Sequence, residues 1–437
     1  MPSGSLLRLP AVWIALALGL LTHSAYLALD HDHYGVDTAS YLVSASNLLH
    51  GQGFANALHQ PELLRTPGYP LLLAIFMVAP MRVAFLVVFQ HALCVFLIVA
   101  ITVIALQITG SRLVAFIAAS VLSLDVATVR IANLLLTEIL FTTLIALTCW
   151  TLYGMMTQPK RQMLASAIAG LIGGCAALVR PVGILYFVPL AICVFVALRR
   201  RALRPAVVFV ATFLLLPLLW TTRNVIEADF FGVSSIGAES ILYYRAAGAL
   251  AIQQPGNYFA NVLKSRRALI QETCPDLQRE YNIDCSQVTE SQKASYSTRK
   301  GIDIIRRNLS SYFKSTLVAL AYIIFGGGAE ALSKITGLNS HIAESIVLCF
   351  TLPEACLAVA GCWYWYRHDR KLCCLLFLTV VYFLAISAGA EGYSRFRVPV
   401  MPMYALLVGG GAEGMFRWIR RIVGSGMVSK NNHAALS

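Results

Sequence analysis

Long apolar runs recur through this chain of 437 residues and leave it few possible folds. They lie at about 11–29, 82–107, 112–129, 132–154, 163–179, 182–198, 203–221, 342–364, 372–389 and 398–416. Each is close to the roughly 20 residues that carry an α-helix across a bilayer. In lipid every backbone N–H and C=O must be bonded within its own segment, so runs of this kind are helices. The chain is 58% hydrophobic and 13% charged, where a soluble domain carries about 25% charge. The expected fold class is an all-α polytopic membrane protein of about ten spans.

The net charge of +13 does not point to nucleic acid. Lysines and arginines sit in short clusters between apolar runs, which is how cytoplasmic loops look under the positive-inside rule. Arg8, Arg112, Lys160, Arg161, Arg199, Arg200, Arg201 and Arg204 then fall on the cytoplasmic side. The loop with Asp30, Asp32 and Asp37 falls opposite, with the long segment after Thr222. The run 312–328 is apolar enough to span, but crossing there would put Arg367, Arg370, Lys371, Arg417, Arg420 and Arg421 outside. At about 1 kcal/mol for each such residue, they outweigh a stretch that carries Lys314 and three glycines, so 312–328 reads as interfacial or re-entrant. The expected organisation is a membrane module at 1–221 with an outer loop at 30–70. An outer region at 222–341, C-terminal spans at 342–416 and a cytoplasmic tail at 417–437 follow, the last ten residues or so disordered.

Most of the eleven cysteines lie in apolar runs and behave as small buried hydrophobes. Cys274 and Cys285 lie in the polar outer segment, where a disulfide and two free thiols are both open readings. The first apolar run has the alternative of a cleaved signal peptide, and Asp37 is outside either way.

Charged side chains at the outer ends of spans are the candidates for chemistry, because they are costly to place there. Asp37 opens an amphipathic helix with Tyr41 one turn on. A carboxylate there can take a proton from a hydroxyl, or simply cap the helix. Glu62, Arg65 and Tyr69 follow before a Pro-Gly turn. Glu138 opens the fourth span, with Asp125 and Arg130 close in sequence as a candidate pair. Arg180, before Pro181, and Tyr393, Arg395 and Arg397 lie at outer turns where topology disfavours arginine; Glu391 can offset one of them. A guanidinium fork fits phosphate oxygens, and snorkelling to lipid head groups is the alternative. Gly170, Gly173 and Gly174 read as close helix packing. No Walker loop, zincin, serine-hydrolase elbow or paired CxxC motif occurs.

The stretches DTASYLVSASNLLHGQGF, RTPGYP, LLTEILF, AALVRP and SRFRVPVMP, in this order, resemble the GT-C membrane glycosyltransferases. The branch in question holds the protein O-mannosyltransferases and the lipid A aminoarabinose transferase. The resemblance implies transfer of a sugar from a polyprenyl-phosphate or dolichyl-phosphate donor to a lipid, glycan or protein acceptor. It implies a multi-pass protein, in a bacterial inner membrane, working on the periplasmic side. It makes Asp37 the base or a metal-binding acid, with Glu62 and Glu138 competing for the role of second acid. The expected substrate-binding set is Tyr41, Arg65, Tyr69, Arg180, Tyr393, Arg395 and Arg397. No cofactor is demanded; a divalent metal, if used, is expected at Asp37. Where the mannosyltransferases have an Asp-Glu pair, Thr38 follows Asp37 here. A transporter or flippase of lipid-linked sugars is the alternative of another class, and a non-catalytic envelope scaffold is a third. The transferase requires that acids and arginines from distant segments meet in one outward-facing cavity.

Overall fold

A computed structural model describes residues 10–78, 82–389 and 392–434 of the chain. Arg8 and Glu391 lie outside the described residues. Among the described residues the secondary structure is helical, apart from one isolated bridge between Ala55 and Pro61. Eight helices are long and apolar enough to cross a membrane, ten if each of two bent pairs counts as one span.

The chain begins with α1 (Pro10–Leu29), the short α2 (Thr38–Leu49) and α3 (Gly68–Met77), then α4 (Arg82–Thr109). The expected span at 112–129 is instead two helices, α5 (Arg112–Leu124) and α6 (Val126–Asn133), bent by 51°. The break has a local cause. The Asp125 carboxylate accepts the Thr128 N–H at 2.9 Å and starts a new helix inside an apolar run. The next span starts at Glu138 rather than 132, because 134–137 is drawn out of helix. There the Leu135 N–H donates to the His33 carbonyl at 2.9 Å, and the Thr38 hydroxyl donates to the Leu135 carbonyl at 3.0 Å. This short segment ties the Asp37 loop to the head of α7 (Glu138–Thr157).

Next come α8 (Gln162–Val179), α9 (Phe187–Leu198) and α10 (Leu203–Ala228). The glycine cluster of α8 packs on α10. A Cβ at Gly170 would sit 2.4 Å from the Phe209 carbonyl oxygen, and one at Gly174 would sit 2.5 Å from that of Phe213. Helix α10 runs seven residues beyond the expected end at 221 and stops where Asp229 turns left-handed, φ 49°.

The segment expected to lie outside holds α11 (Ile236–Ser240), a π-helical turn (Ile241–Ala246), α12 (Ala247–Ala251), α13 (Tyr258–Tyr281) and α14 (Glu290–Arg307). They close on a small core of Leu242, Ala247, Leu269, Leu277, Val288 and Tyr296. Cys274 and Cys285 are bonded. Pro275 lies inside α13, which ends at Asn282, φ 53°.

The second bent pair is α15 (Leu309–Phe325) and α16 (Ala329–Thr336), at 44°. Both of its ends are held by parts of the molecule near Asp37. Tyr312, on the first turn of α15, lines the same cavity as Asp37, and Lys334 on α16 pairs with Asp30 at 3.2 Å. The pair therefore enters and leaves at the same end. α17 (Ser340–His368) then crosses to the opposite end, where Asp369 accepts from Tyr153 at 2.6 Å and Lys371 donates to the Met156 carbonyl at 2.8 Å. The basic clusters near 160 and 370 thus share one end, as the charge pattern requires. α18 (Arg370–Ser387) returns to the Asp37 end. A 3-10 turn (Ser394–Val400) leads into α19 (Met401–Ala434).

α19 is not among the helices apolar enough to span by themselves. Its glycines face protein instead of lipid: a Cβ at Gly411 would meet the Leu357 carbonyl oxygen at 1.9 Å. The tail expected to be disordered continues this helix to Ala434, with no proline after Pro402 to end it.

Candidate active site

Six of the ten predicted side chains, Asp37, Tyr41, Arg65, Glu138, Arg180 and Arg395, meet at one end of the bundle. Asp37 stands at the N-terminus of α2 but makes no capping bond. One carboxylate oxygen accepts from Arg65 at 2.8 Å and the other from Arg395 at 3.1 Å. Glu138, buried at the head of α7, pairs with Arg180 at 2.5 Å and lies 3.9 Å from Arg395. Arg395 thus bridges two carboxylates. Three guanidiniums face two carboxylates, which leaves one positive charge in excess. Burial works to raise the Asp37 carboxyl, and Arg395 and Arg65 outweigh it, so its pKa lies below the usual carboxylate value.

Local structure explains the aim of each group. Arg65 is held by the Ser40 hydroxyl at 2.9 Å, and its guanidinium lies 4.7 Å from the centre of the Tyr41 ring. Helical spacing puts Tyr41 on the face of Asp37. Arg180 ends α8 where Pro181 stops it. Phe396 lies near two cations, 5.0 Å from Arg395 and 5.8 Å from Arg180.

These groups line a cavity of about 1130 Å³. Its lower wall is apolar, with Val182, Leu185, Phe187, Leu214, Pro217 and Leu218 from the segment after Arg180 and from α10. Its upper wall comes from the outer region, with Glu239, Tyr244, Arg245 and Arg266.

Four predicted site residues stand elsewhere. Glu62 is buried and spends its carboxylate on the Leu64 and Arg65 N–H groups, at 2.7 and 3.0 Å. It shapes the loop that presents Arg65 and does not line the cavity. Tyr69 is fully buried beneath Tyr41, and its hydroxyl donates to Gln90 at 2.9 Å. Gln90 in turn holds the Ala132 and Leu134 carbonyls. Tyr393 is 52% exposed and lies off the cavity.

Arg397 turns away from Arg395 to pair with Asp125 and donates to the Ile324 carbonyl at 2.9 Å. Asp125 therefore pairs with Arg397 and not with Arg130, which meets Glu330 at 3.4 Å. Arg397 anchors the 3-10 turn that carries Arg395. Arg397→Ala is expected to cost about 3–5 kcal/mol, the penalty for breaking a buried pair, read as a lower melting temperature in detergent. Unchanged melting with lost activity would instead place Arg397 at the substrate.

A divalent metal is what the resemblance leaves open at Asp37. Both Asp37 oxygens are taken by guanidiniums, and Glu138 is held by Arg180. Among the described residues, no group of three or more His, Cys, Asp or Glu converges. This donor set does not fit a divalent cation.

Arg245, Arg266, Glu239 and Tyr244 were not legible beforehand. They lie in a polar segment without periodicity, where an arginine facing a cavity looks like one facing water. Phe396 lies between Arg395 and Arg397, and an apolar ring there looks in sequence like packing.

The arrangement of the helices is shared with two solved structures of membrane oligosaccharyltransferases. It is similar to the archaeal oligosaccharyltransferase AglB of Archaeoglobus fulgidus, solved with an inhibitory peptide and a dolichol-phosphate (TM-score 0.54, 11% identity, 95% of this chain and 51% of that one). It is also similar to an Archaeoglobus fulgidus oligosaccharyltransferase structure tethered to an acceptor peptide with the NVT sequon (TM-score 0.53, 12% identity, 96% and 51%). The chain spans about half the length of these two proteins. No protein-family model and no curated protein matches it.

Proposed function

We propose that the protein moves a sugar from a polyprenyl-phosphate or dolichyl-phosphate donor to an acceptor hydroxyl at the membrane surface. The observation that carries this reading is the Arg395 bridge between Asp37 and Glu138, set over an apolar wall in one cavity. The donor's tail lies along Val182, Leu185, Leu214 and Leu218, and its phosphate meets Arg180 and Arg395. The acceptor hydroxyl attacks the anomeric carbon while the bond from that carbon to the phosphate oxygen breaks, inverting the centre. The hydroxyl proton passes to Asp37, and the arginines take up the charge on the departing lipid phosphate.

The free site holds Asp37 between two cations, which makes it a weak base. A donor phosphate competes for Arg395 and draws it from Asp37. One carboxylate oxygen is then free for the hydroxyl and more basic than before. Donor binding thus readies the base. Glu138 keeps Arg180 and Arg395 within reach of the phosphate throughout.

The membrane is proposed to be a bacterial inner membrane, with the Asp37 end facing the periplasm, because the basic clusters lie at the other end. The test is to incubate purified protein with several lipid-phosphate sugars and candidate acceptors, and to weigh the products by mass spectrometry. Free lipid phosphate and a glycosylated acceptor in equal amounts are expected. Intact donor that only changes leaflet in vesicles would sink the transferase and leave a flippase.

A further inference from the structure

We infer that the upper wall of the cavity forms a second anion subsite, built by Arg245 and Arg266, which takes a phosphate or carboxylate group other than the leaving phosphate. The inference rests on the donor reading above. Five arginines line the cavity. Arg65, Arg180 and Arg395 each meet a carboxylate. Among the described residues no carboxylate comes within ion-pair distance of Arg245 or Arg266, so their charges are not cancelled.

Both are nonetheless held in place. Arg245 donates to the Tyr312 hydroxyl at 3.0 Å and to the Ile386 carbonyl. These neutral acceptors fix the fork without neutralising it. Arg266 lies over the Tyr244 ring at 4.2 Å, and its Nε–H, like that of Arg395 in the same cavity, is buried with no protein acceptor. A buried donor left unbonded is rare in a native protein and asks for an explanation.

The backbone there is also unusual. Tyr244 and Arg245 sit on the π-helical turn, a wide turn found often at functional sites. It presses into α14 at Gly301, where a Cβ would come 3.0 Å from the Ile241 carbonyl carbon. The one acid of this wall, Glu239, faces Glu290, Lys293, Arg65 and Arg266. Burial, and then Glu290, push its carboxyl up, which weakens it as a rival for an anion.

A guanidinium pair fits the oxygens of phosphate or carboxylate. Such a group has two sources: an anionic substituent on the acceptor, or the second phosphate of a diphosphate donor. The full chain in zwitterionic nanodiscs is first saturated with polyprenyl monophosphate, then titrated calorimetrically with inorganic phosphate. Wild type is expected to bind one further phosphate. Arg266→Gln should weaken that binding by about tenfold or more, the value of a charge-assisted bond, and leave monophosphate affinity within about twofold. Arg266→Lys should keep most of it, and Arg245→Gln serves as the independent variant if Arg266→Gln folds poorly.

Polyprenyl diphosphate separates the sources. Weaker binding of it by Arg266→Gln assigns the subsite to the donor, and unchanged binding assigns it to the acceptor. Wild type and Arg266→Gln taking up inorganic phosphate alike, or wild type taking up none, overturns the subsite. If the monophosphate itself does not bind, the donor reading fails, and inorganic phosphate added alone still reports on Arg266.

Discussion

Asp37→Asn is expected to lower transfer from a lipid-phosphate sugar by about 10²- to 10⁴-fold, the usual contribution of a positioned base. The amide matches the carboxylate in size and can still lie between Arg65 and Arg395. It cannot accept the acceptor's proton, and it offers an N–H to two guanidiniums that need acceptors. Donor binding should survive, because Arg180 and Arg395 remain. The pair of measurements to make is turnover and donor affinity in one preparation: turnover near wild type ends the assignment of Asp37. The pH dependence follows from the same geometry. The arginines hold the Asp37 carboxyl below its usual value. In the free enzyme the ionised form is therefore kept as pH falls through the ordinary carboxylate range, so kcat/KM fails only under more acid conditions, and kcat, which reports the donor-bound site, falls at a higher pH. Any stability from its ion pairs is likewise present above that range and lost as pH falls through the lowered value.

The second large effect is expected at Glu138. Its carboxylate is 2% exposed and faces Arg180 and Arg395. Glu138→Gln removes one charge of a buried cluster and leaves Arg180 without its carboxylate, a change that costs about 3–5 kcal/mol where such pairs have been broken. Arg395 is then free to settle on Asp37 alone. Lost stability and lost turnover should therefore appear together. The double variant Glu138→Gln with Arg180→Gln should recover part of the stability but little of the activity, because both members of the pair are gone while the phosphate ligand is missing. Melting temperatures that simply add across the two single variants would argue against direct coupling.

Much of the fold was legible because lipid permits few alternatives: apolar runs of spanning length must be helices. The bend at Asp125 was not, since one polar residue in an apolar run gives no sign that its carboxylate will cap a new helix. Charges at span ends stood out for Asp37, Glu138, Arg180 and Arg395, which the fold then gathers. Arg395 and Arg397 looked equivalent in sequence. They sit on a 3-10 turn of about three residues per turn, so residues two apart point in different directions, one to the cavity and one to Asp125. Glu62 and Tyr69 carried the right chemistry at the right spacing, yet both are used inside the loop that supports Arg65 and Tyr41. Sequence cannot separate a group that touches a ligand from one that braces its neighbour.

The contact between Asp37 and Arg395 joins residues 358 positions apart. A ribosome delivers the first of them to the membrane long before the second. Until the closing helices insert, the acid has only Arg65 beside it, and of the two proposed phosphate ligands only Arg180 is present. The Asp37–Arg395–Glu138 bridge can therefore form only after the turn at 394–400 has been made and placed beside the first loop.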